Sequence, residues 1–342
     1  STSSKTLGKW RNEITYVGDD GDGNVHARHV EELSELIDTT YAQYEIRKVL
    51  LDAFTQDASG SSETSPQTNA AIKTRLKNGT FTVNYVGHGN ERLWTAEEIL
   101  TRSDIEELTN RNKLPIIVTA TCEFGRYDDP FEVSGAEALL LSTSGGGIAL
   151  LTTSRPVFAS TNFSLNLAFH QNIFRKENNR NLRLGDIIRL TKNEGLEGAV
   201  NRNFTLLGDP MMMPAFPEYD IEIEDTNSQL DTLSALEEIT ITGQVEENGT
   251  LKTDFNGQLV IGIYDVEQDF ITKGQQSAPY TYELRSNSIF RGEATVTDGE
   301  FSVTFIVPKN ISYQFQRGKL SVFAWDQTRN QDAGGSSRSF VI

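Results

Sequence analysis

A single cysteine, Cys122, closes the run Pro115-Ile116-Ile117-Val118-Thr119-Ala120-Thr121, and Gly125 follows it closely. An apolar, β-branched run that stops at a polar side chain is how a parallel strand delivers chemistry to the carboxyl edge of a sheet. An earlier stretch repeats the design: Phe81-Thr82-Val83-Asn84-Tyr85-Val86 ends in Gly87-His88-Gly89. Strand ends in adjacent βα units become neighbours through right-handed crossovers. An imidazole beside a thiol is the minimum for nucleophilic catalysis: the ring takes the thiol proton and later returns it to the leaving group. Glycines around the histidine let a substrate carbonyl come close and offer it an amide. Each motif alone has a plainer reading. A lone cysteine after an apolar strand is usually a small buried hydrophobe, and Gly-His-Gly is often only a turn. Their pairing is what points to chemistry.

Further residues lie close to these strand ends in sequence. Trp94 is either an aromatic wall for a substrate or a cover for the sheet edge. Glu123 and Arg126 flank the cysteine and either shape a pocket or pair with each other. His26 and His29 lie about one helical turn apart near Asp22 and would suit zinc, although the spacing is no standard signature and Cys122 is remote. The run Gly18-Asp19-Asp20-Gly21-Asp22-Gly23-Asn24 reads most plainly as a solvated turn. It also reads as a calcium loop, with Asp19, Asp20, Asp22 and Asn24 as alternating oxygen ligands. His170, inside an amphipathic stretch, reads as packing.

The elements that must position these residues alternate between strand and helix. Strands are expected over 13–17, 44–51, 81–86, 115–121, 145–151 and 204–207. Helices are expected over 26–38, 69–77, 161–174 and 184–191, the first with Val30, Leu33, Leu36 and Ile37 on one stripe. Capping boxes at Thr95–Glu98, Ser103–Glu106 and Ser134–Glu137 predict three more helix starts. This alternation predicts a mostly parallel, helix-covered sheet. The character changes at Pro214-Ala215-Phe216-Pro217. Beyond it two-residue alternation takes over, as in Phe301, Val303, Phe305 and Val307 after the hairpin signal Asp298-Gly299. Further runs at 238–244, 258–264, 292–297 and 319–325 predict an immunoglobulin-like β-sandwich. The expected domains are therefore 1–217 and 218–342.

The 342 residues exceed one typical domain. A net charge of -17 and a pI near 4.7 argue against nucleic acid and anionic membrane surfaces as partners. No stretch reads as a transmembrane helix or an intact signal peptide, and one cysteine excludes an internal disulfide. The opening Ser1-Thr2-Ser3-Ser4, without methionine, suggests a piece of a longer chain.

Three motifs in colinear order carry a family resemblance. They are Asn84-Tyr85-Val86-Gly87-His88-Gly89, Ala120-Thr121-Cys122 with Gly125, and Leu206-Leu207-Gly208-Asp209-Pro210. Together they resemble the gingipain-type cysteine peptidases, over about Trp10 to Pro217 and into the sandwich behind. The resemblance implies a caspase-like α/β fold, Cys122 as nucleophile, His88 as base, and the amides of Gly89 and Cys122 as oxyanion hole. It also implies an acidic residue after the first strand that orients the imidazole; Asp20 is the first choice and Asp19 the reserve. The Arg-selective members carry a carboxylate at a position matching Asn24, which would line the substrate pocket, so strict cleavage after basic residues is not expected. Stretches 122–130 and 318–326 are most similar to members that act as signal peptidase and sortase of the type IX secretion system in Bacteroidetes.

That likeness implies removal of C-terminal sorting domains from exported cargo proteins, at a cell surface and associated with the outer membrane. Other secretion components would be partners, and an amine of anionic lipopolysaccharide would be an acceptor alternative to water. The chemistry requires no cofactor, with calcium as a structural candidate. The rival readings are a degradative endopeptidase of the same chemistry and a non-catalytic scaffold of the same fold.

Overall fold

The computed structural model describes residues 4–57, 63–195, 198–224, 232–312 and 315–342. Six strands make the first sheet: β1 (Glu13–Gly18), β2 (Glu45–Leu50), β3 (Thr82–Val86), β4 (Ile116–Ala120), β5 (Ala149–Thr153) and β6 (Phe204–Leu207). Their order is β6-β5-β4-β3-β1-β2. All neighbours are parallel except β6, which runs antiparallel to β5. The β-rich runs form buried strands because successive side chains enter opposite faces, and both faces are covered. Helices α1 (Gly21–Thr40), α5 (Ala159–Ile173) and α6 (Leu184–Gly195) pack on one face through Val30, Leu33, Phe169 and Ile187, against Tyr16, Val118 and Leu151. Helices α2 (Pro66–Asn78), α3 (Arg102–Glu106) and α4 (Gly135–Leu141) cover the other through Ile72, Ile105 and Leu139, against Val17, Tyr85 and Ile117.

The helix starts differ instructively from the capping signals. Ser134 caps α4 with Glu137 as expected. For α3 the box lies two residues earlier, between Thr101 and Asp104, because Asp104 also meets Lys73 at 2.9 Å and Asn69 at 2.9 Å from α2. Thr95 opens no helix: it stands in a left-handed conformation (φ 56°) in the turn joining Leu93–Trp94 to Leu100–Thr101.

The second unit contains β7 (Tyr219–Glu224), β8 (Glu238–Glu247), β9 (Thr250–Leu251), β10 (Gly257–Tyr264), β11 (Gln268–Ile271), β12 (Thr281–Leu284), β13 (Ser288–Val296), β14 (Glu300–Ile306), β15 (Lys319–Asp326) and β16 (Gln331–Ser337). One half places β7, β8 and β14 side by side; the other places β16, β15, β10 and β13. Strand β7 joins the halves, antiparallel to β8 and parallel to β16, so the whole is one curled eight-stranded sheet around a core that includes Ile241, Phe255, Ile261 and Val322.

The hairpin β11–β12 stands apart from that sheet and packs on the first unit instead. Tyr282 is buried in the core beneath α1, with Phe270, Tyr280 and Leu284 against it. A second tie is electrostatic. Lys319, on β15, is almost fully buried and donates to Asp38 near the end of α1 and to the carbonyl of Tyr44 at 2.6 Å. Arg338 also pairs with Asp38, and Arg11 reaches Asp332 at 2.7 Å.

Candidate active site

Strands β3 and β4 are direct neighbours in register, Val86 opposite Ala120. The chain therefore leaves the same sheet edge twice, once into Gly87-His88-Gly89 and once into Thr121-Cys122. The two exits touch. The amide of Gly87 donates to the carbonyl of Ala120 at 3.3 Å, and a methyl group on Gly89 would lie 2.7 Å from Thr121 Oγ1. A side chain at Gly87 would strike Asp19 Cβ at 2.4 Å, so only glycine lets the histidine exit this close to the β1 exit.

The His88 backbone is held on both sides. Its amide donates to Asp19 Oδ2 at 2.8 Å, and its carbonyl accepts from the Tyr85 hydroxyl and from the Thr95 amide at 3.1 Å. The flanking bonds, Thr95 N to His88 O and Asn90 N to Leu93 O, make Gly89 and Trp94 a non-hydrogen-bonded pair. The Gly89 amide is thus not used in this ladder. The ring of His88 is exposed and lies over Gly21, with Nε2 3.3 Å from Asp22 Oδ2. His26, buried beneath, meets it edge-on with ring centroids 5.1 Å apart.

Cys122 is half-buried, with Sγ 3.5 Å from both the amide and the carbonyl oxygen of Val157. The residue after it, Glu123, has φ 53°, a conformation that costs a non-glycine residue on the order of 1 kcal/mol and that clusters at functional sites. The turn is enforced by its neighbours: the Gly125 amide donates to Thr153 O at 2.8 Å, and the Ala136 amide to Phe124 O at 3.1 Å. The Thr153 hydroxyl caps the carbonyl of Thr121.

Several sequence expectations are redrawn here. Asp20 does not turn to His88: Oδ2 accepts from Gln56 Nε2 at 2.5 Å, and Oδ1 is buried without a partner. Burial first, then the charges of Asp19, Glu97 and Asp52, push its carboxyl up to about 7, against the opposing Gln56 bond. An acid half-protonated at neutral pH is a poor partner for an imidazolium. The carboxylate at the ring is Asp22, and Asp19, the reserve, fixes the backbone. Nothing in the Asp/Gly run separates these three by residue type; only the left-handed turn at Asp22, Gly23 and Asn24 (φ 55°, 64° and 66°) brings Asp22 back over His88.

Asn24 is engaged by the second unit. It is buried and donates to the carbonyl of Ala278, in the loop between β11 and β12. Trp94 is no substrate wall: it is 1 % exposed and stacked on Tyr85 at 4.2 Å, where it covers the sheet. Glu123 lies 3.5 Å from Arg126, whose stronger bond is to Glu91 at 2.8 Å. Asp19, Asp20 and Asp22 do not converge as calcium ligands: Asp20 serves Gln56, and the three carboxylates form no cluster among the described residues. His29 turns from His26 to stack on Phe163 at 4.2 Å.

The loop at 272–280 had no sequence signal for a role at the site, yet it buttresses the Asp20–Asn24 turn. Besides the Asn24 contact, Ser277 Oγ donates to the Asp20 carbonyl at 2.6 Å and Gln276 donates to buried Glu97. Gly274 and Gln275 donate their amides to Asp52 at 2.6 and 2.9 Å.

A family model for peptidase family C25 matches residues 1–215, the whole of the first sheet and its helices. The chain belongs to peptidase family C25. Its fold is shared with the crystal structure of the Arg-specific cysteine proteinase gingipain R, RgpB, at 17% identity and a TM-score of 0.51, over 98% of this chain and 68% of that one. The complex of the pro- and mature domains of RgpB from Porphyromonas gingivalis gives the same identity and TM-score, over 98% and 70%. Dimeric latent PorU from Porphyromonas gingivalis is similar at 14% identity and a TM-score of 0.36, over 96% of this chain and 42% of that one. No curated protein sequence matches. A C25 chain with this architecture has a gingipain-like cysteine peptidase fold.

Proposed function

We propose that the chain is a cysteine endopeptidase in which Cys122 attacks the scissile carbonyl and His88 is the base that later protonates the leaving amine. What supports this most is the parallel neighbourhood of β3 and β4, which carries the only cysteine of the chain and a glycine-flanked histidine to one sheet edge. The free amide of Gly89, with that of Cys122, suits the developing oxyanion. Asp22 replaces Asp20 in this reading as the carboxylate at the imidazole.

The substrate we propose is a cargo protein of the type IX secretion system, cut to release its C-terminal sorting domain at the bacterial cell surface, in association with the outer membrane and other secretion components. This rests on the likeness of stretches 122–130 and 318–326 to PorU, the signal peptidase and sortase of that system. Water and an amine of anionic lipopolysaccharide are the two acceptors for the acyl-enzyme; an amine competes only when held beside the thioester.

The test is incubation with cargo that carries its sorting domain, with and without the amine, and mass spectrometry of the products. Release of the sorting domain by the wild type and not by Cys122→Ala is expected. Cleavage by Cys122→Ala would overturn the catalytic assignment, and a cargo left intact while unrelated proteins are cut would favour the degradative reading.

A further inference from the structure

His26 is a buried imidazole with an unsolved hydrogen-bond problem. It is 3% exposed, and neither ring nitrogen has a hydrogen-bond partner. A neutral imidazole has one N–H to give and one lone pair to fill, and leaving such groups unmet in the interior costs roughly 1–3 kcal/mol each. Orphaned groups of this kind call for an explanation, an ion among them. The surroundings of His26 supply one. A ligand atom from each of Asp19, His26 and His88 lies within 4.8 Å of the others, and this is the one group of three such residues among the described residues. Asp22 Oδ2 stands between the two rings, 3.3 Å from His88 Nε2 and 3.6 Å from His26 Nε2.

We infer that Asp19, Asp22, His26 and His88 form a site for a divalent transition metal of the zinc type, whose occupancy blocks the peptidase. Two imidazoles with two carboxylates match the nitrogen-and-oxygen set that zinc accepts in tetrahedral geometry. Calcium takes six to eight oxygens and magnesium an octahedron of them, so this donor set disfavours both. Ligand atoms around tetrahedral zinc stand about 3.3 Å apart, given bonds of about 2.0–2.1 Å. The three clustered donors must therefore close in by up to about 1.5 Å, and Asp22, outside that cluster, must swing in as the fourth. His88 and Asp22 are free to do so, with side chains 57% and 54% exposed, while His26 is fixed below. The Asp22–Asn24 turn that presents Asp22 is held from outside by Ala278.

The consequence rests on the reading of His88 as the base. A metal bonded through a lone pair of His88 removes that lone pair from proton transfer, and the ring is drawn toward α1. Cys122 belongs to no such cluster, so binding does not depend on the thiol.

That separation sets the test. The full chain carrying Cys122→Ala is titrated with zinc in competition with a chromogenic chelator, and thermal unfolding is followed with and without the ion. One zinc per chain and a raised Tm are expected, unchanged by His29→Gln, whose ring faces Phe163. His26→Gln and the exposed Asp22→Asn should each weaken binding tenfold or more; if His26→Gln fails to fold, Asp22→Asn decides. Zinc bound only when Cys122 is present, or bound equally by the Asp22 variant, would overturn the site. In the wild type zinc should stop cargo cleavage and a chelator should restore it. Absent cleavage with zinc binding intact would refute the peptidase reading alone, and zinc binding without inhibition would refute the blocking role.

Discussion

Replacing Asp22 by asparagine tests which carboxylate serves the imidazole. The change keeps the side-chain size and removes a charge 3.3 Å from His88 Nε2. Two unit charges at that distance interact by about 1.3 kcal/mol in a water-like dielectric and about 5 kcal/mol at an effective value near 20. Both side chains are more than half exposed, which places the pair toward the weak end, about 1–2 kcal/mol. If the imidazolium forms only as the thiol gives up its proton, this stabilisation belongs to the transition state, and kcat should fall about 5- to 30-fold with KM nearly unchanged. Asp20→Asn should change kcat much less, because Asp20 faces Gln56. Initial rates of sorting-domain release, measured over a range of cargo concentrations, give both parameters. A larger loss for Asp20→Asn than for Asp22→Asn would refute this account and return the orienting role to Asp20.

Other expectations concern stability and the domain contact. Burial holds the His170 imidazole down at about 4, so its contribution to stability is complete above about 6.5 and is lost as pH falls toward 4, to a total of about 3 kcal/mol; His170→Gln should flatten Tm against pH across that window. Lys319→Met strips buried Asp38 of one of its cations and should cost about 3 kcal/mol in chemical unfolding, part of which the double change with Asp38→Leu recovers. Asp52→Ala leaves the amides of Gly274 and Gln275 without their acceptor and should cost about 2 kcal/mol in the same assay, with a lower kcat as the loop at 272–280 loosens. An Asp52 variant with unaltered kcat would show that the loop does not steady the site.

The strand ends were legible because their signal is local: a β-rich run, a polar stop and a glycine specify both the element and the edge where it finishes. Residues Phe204–Leu207 were legible as a strand, but their antiparallel pairing with β5 was not, since direction depends on the path of the chain after α6. The acidic run was legible as a site feature and not as an assignment. Whether Asp19, Asp20 or Asp22 meets the ring depends on three consecutive left-handed residues, and that turn is stabilised by Ala278, more than two hundred residues away. Trp94 misled for a similar reason: proximity in sequence to His88 says nothing of the stacking on Tyr85 that buries it. The β11–β12 hairpin was not among the strands expected from sequence, and only the burial of Tyr282 against the first unit shows where it belongs.

Helix α1 is clamped at both ends by the second unit. Asn24, at its start, is tied to Ala278, and Asp38, near its finish, is tied to Lys319 and Arg338. Between these ties the helix is a rod of roughly 20 Å, at about 1.5 Å per residue. A rod pinned at both ends can neither slide nor rotate without breaking a pin. The hairpin that carries Ala278 sits in the core of the first unit but runs directly from β10 and into β13, so parting of the two units pulls on the Asp22 turn as well as on Asp38. The linkage is reciprocal: a ligand that grips the His88 edge only in its present form must also raise the free energy needed to pull the sandwich away, by the same amount that losing the sandwich would weaken that ligand.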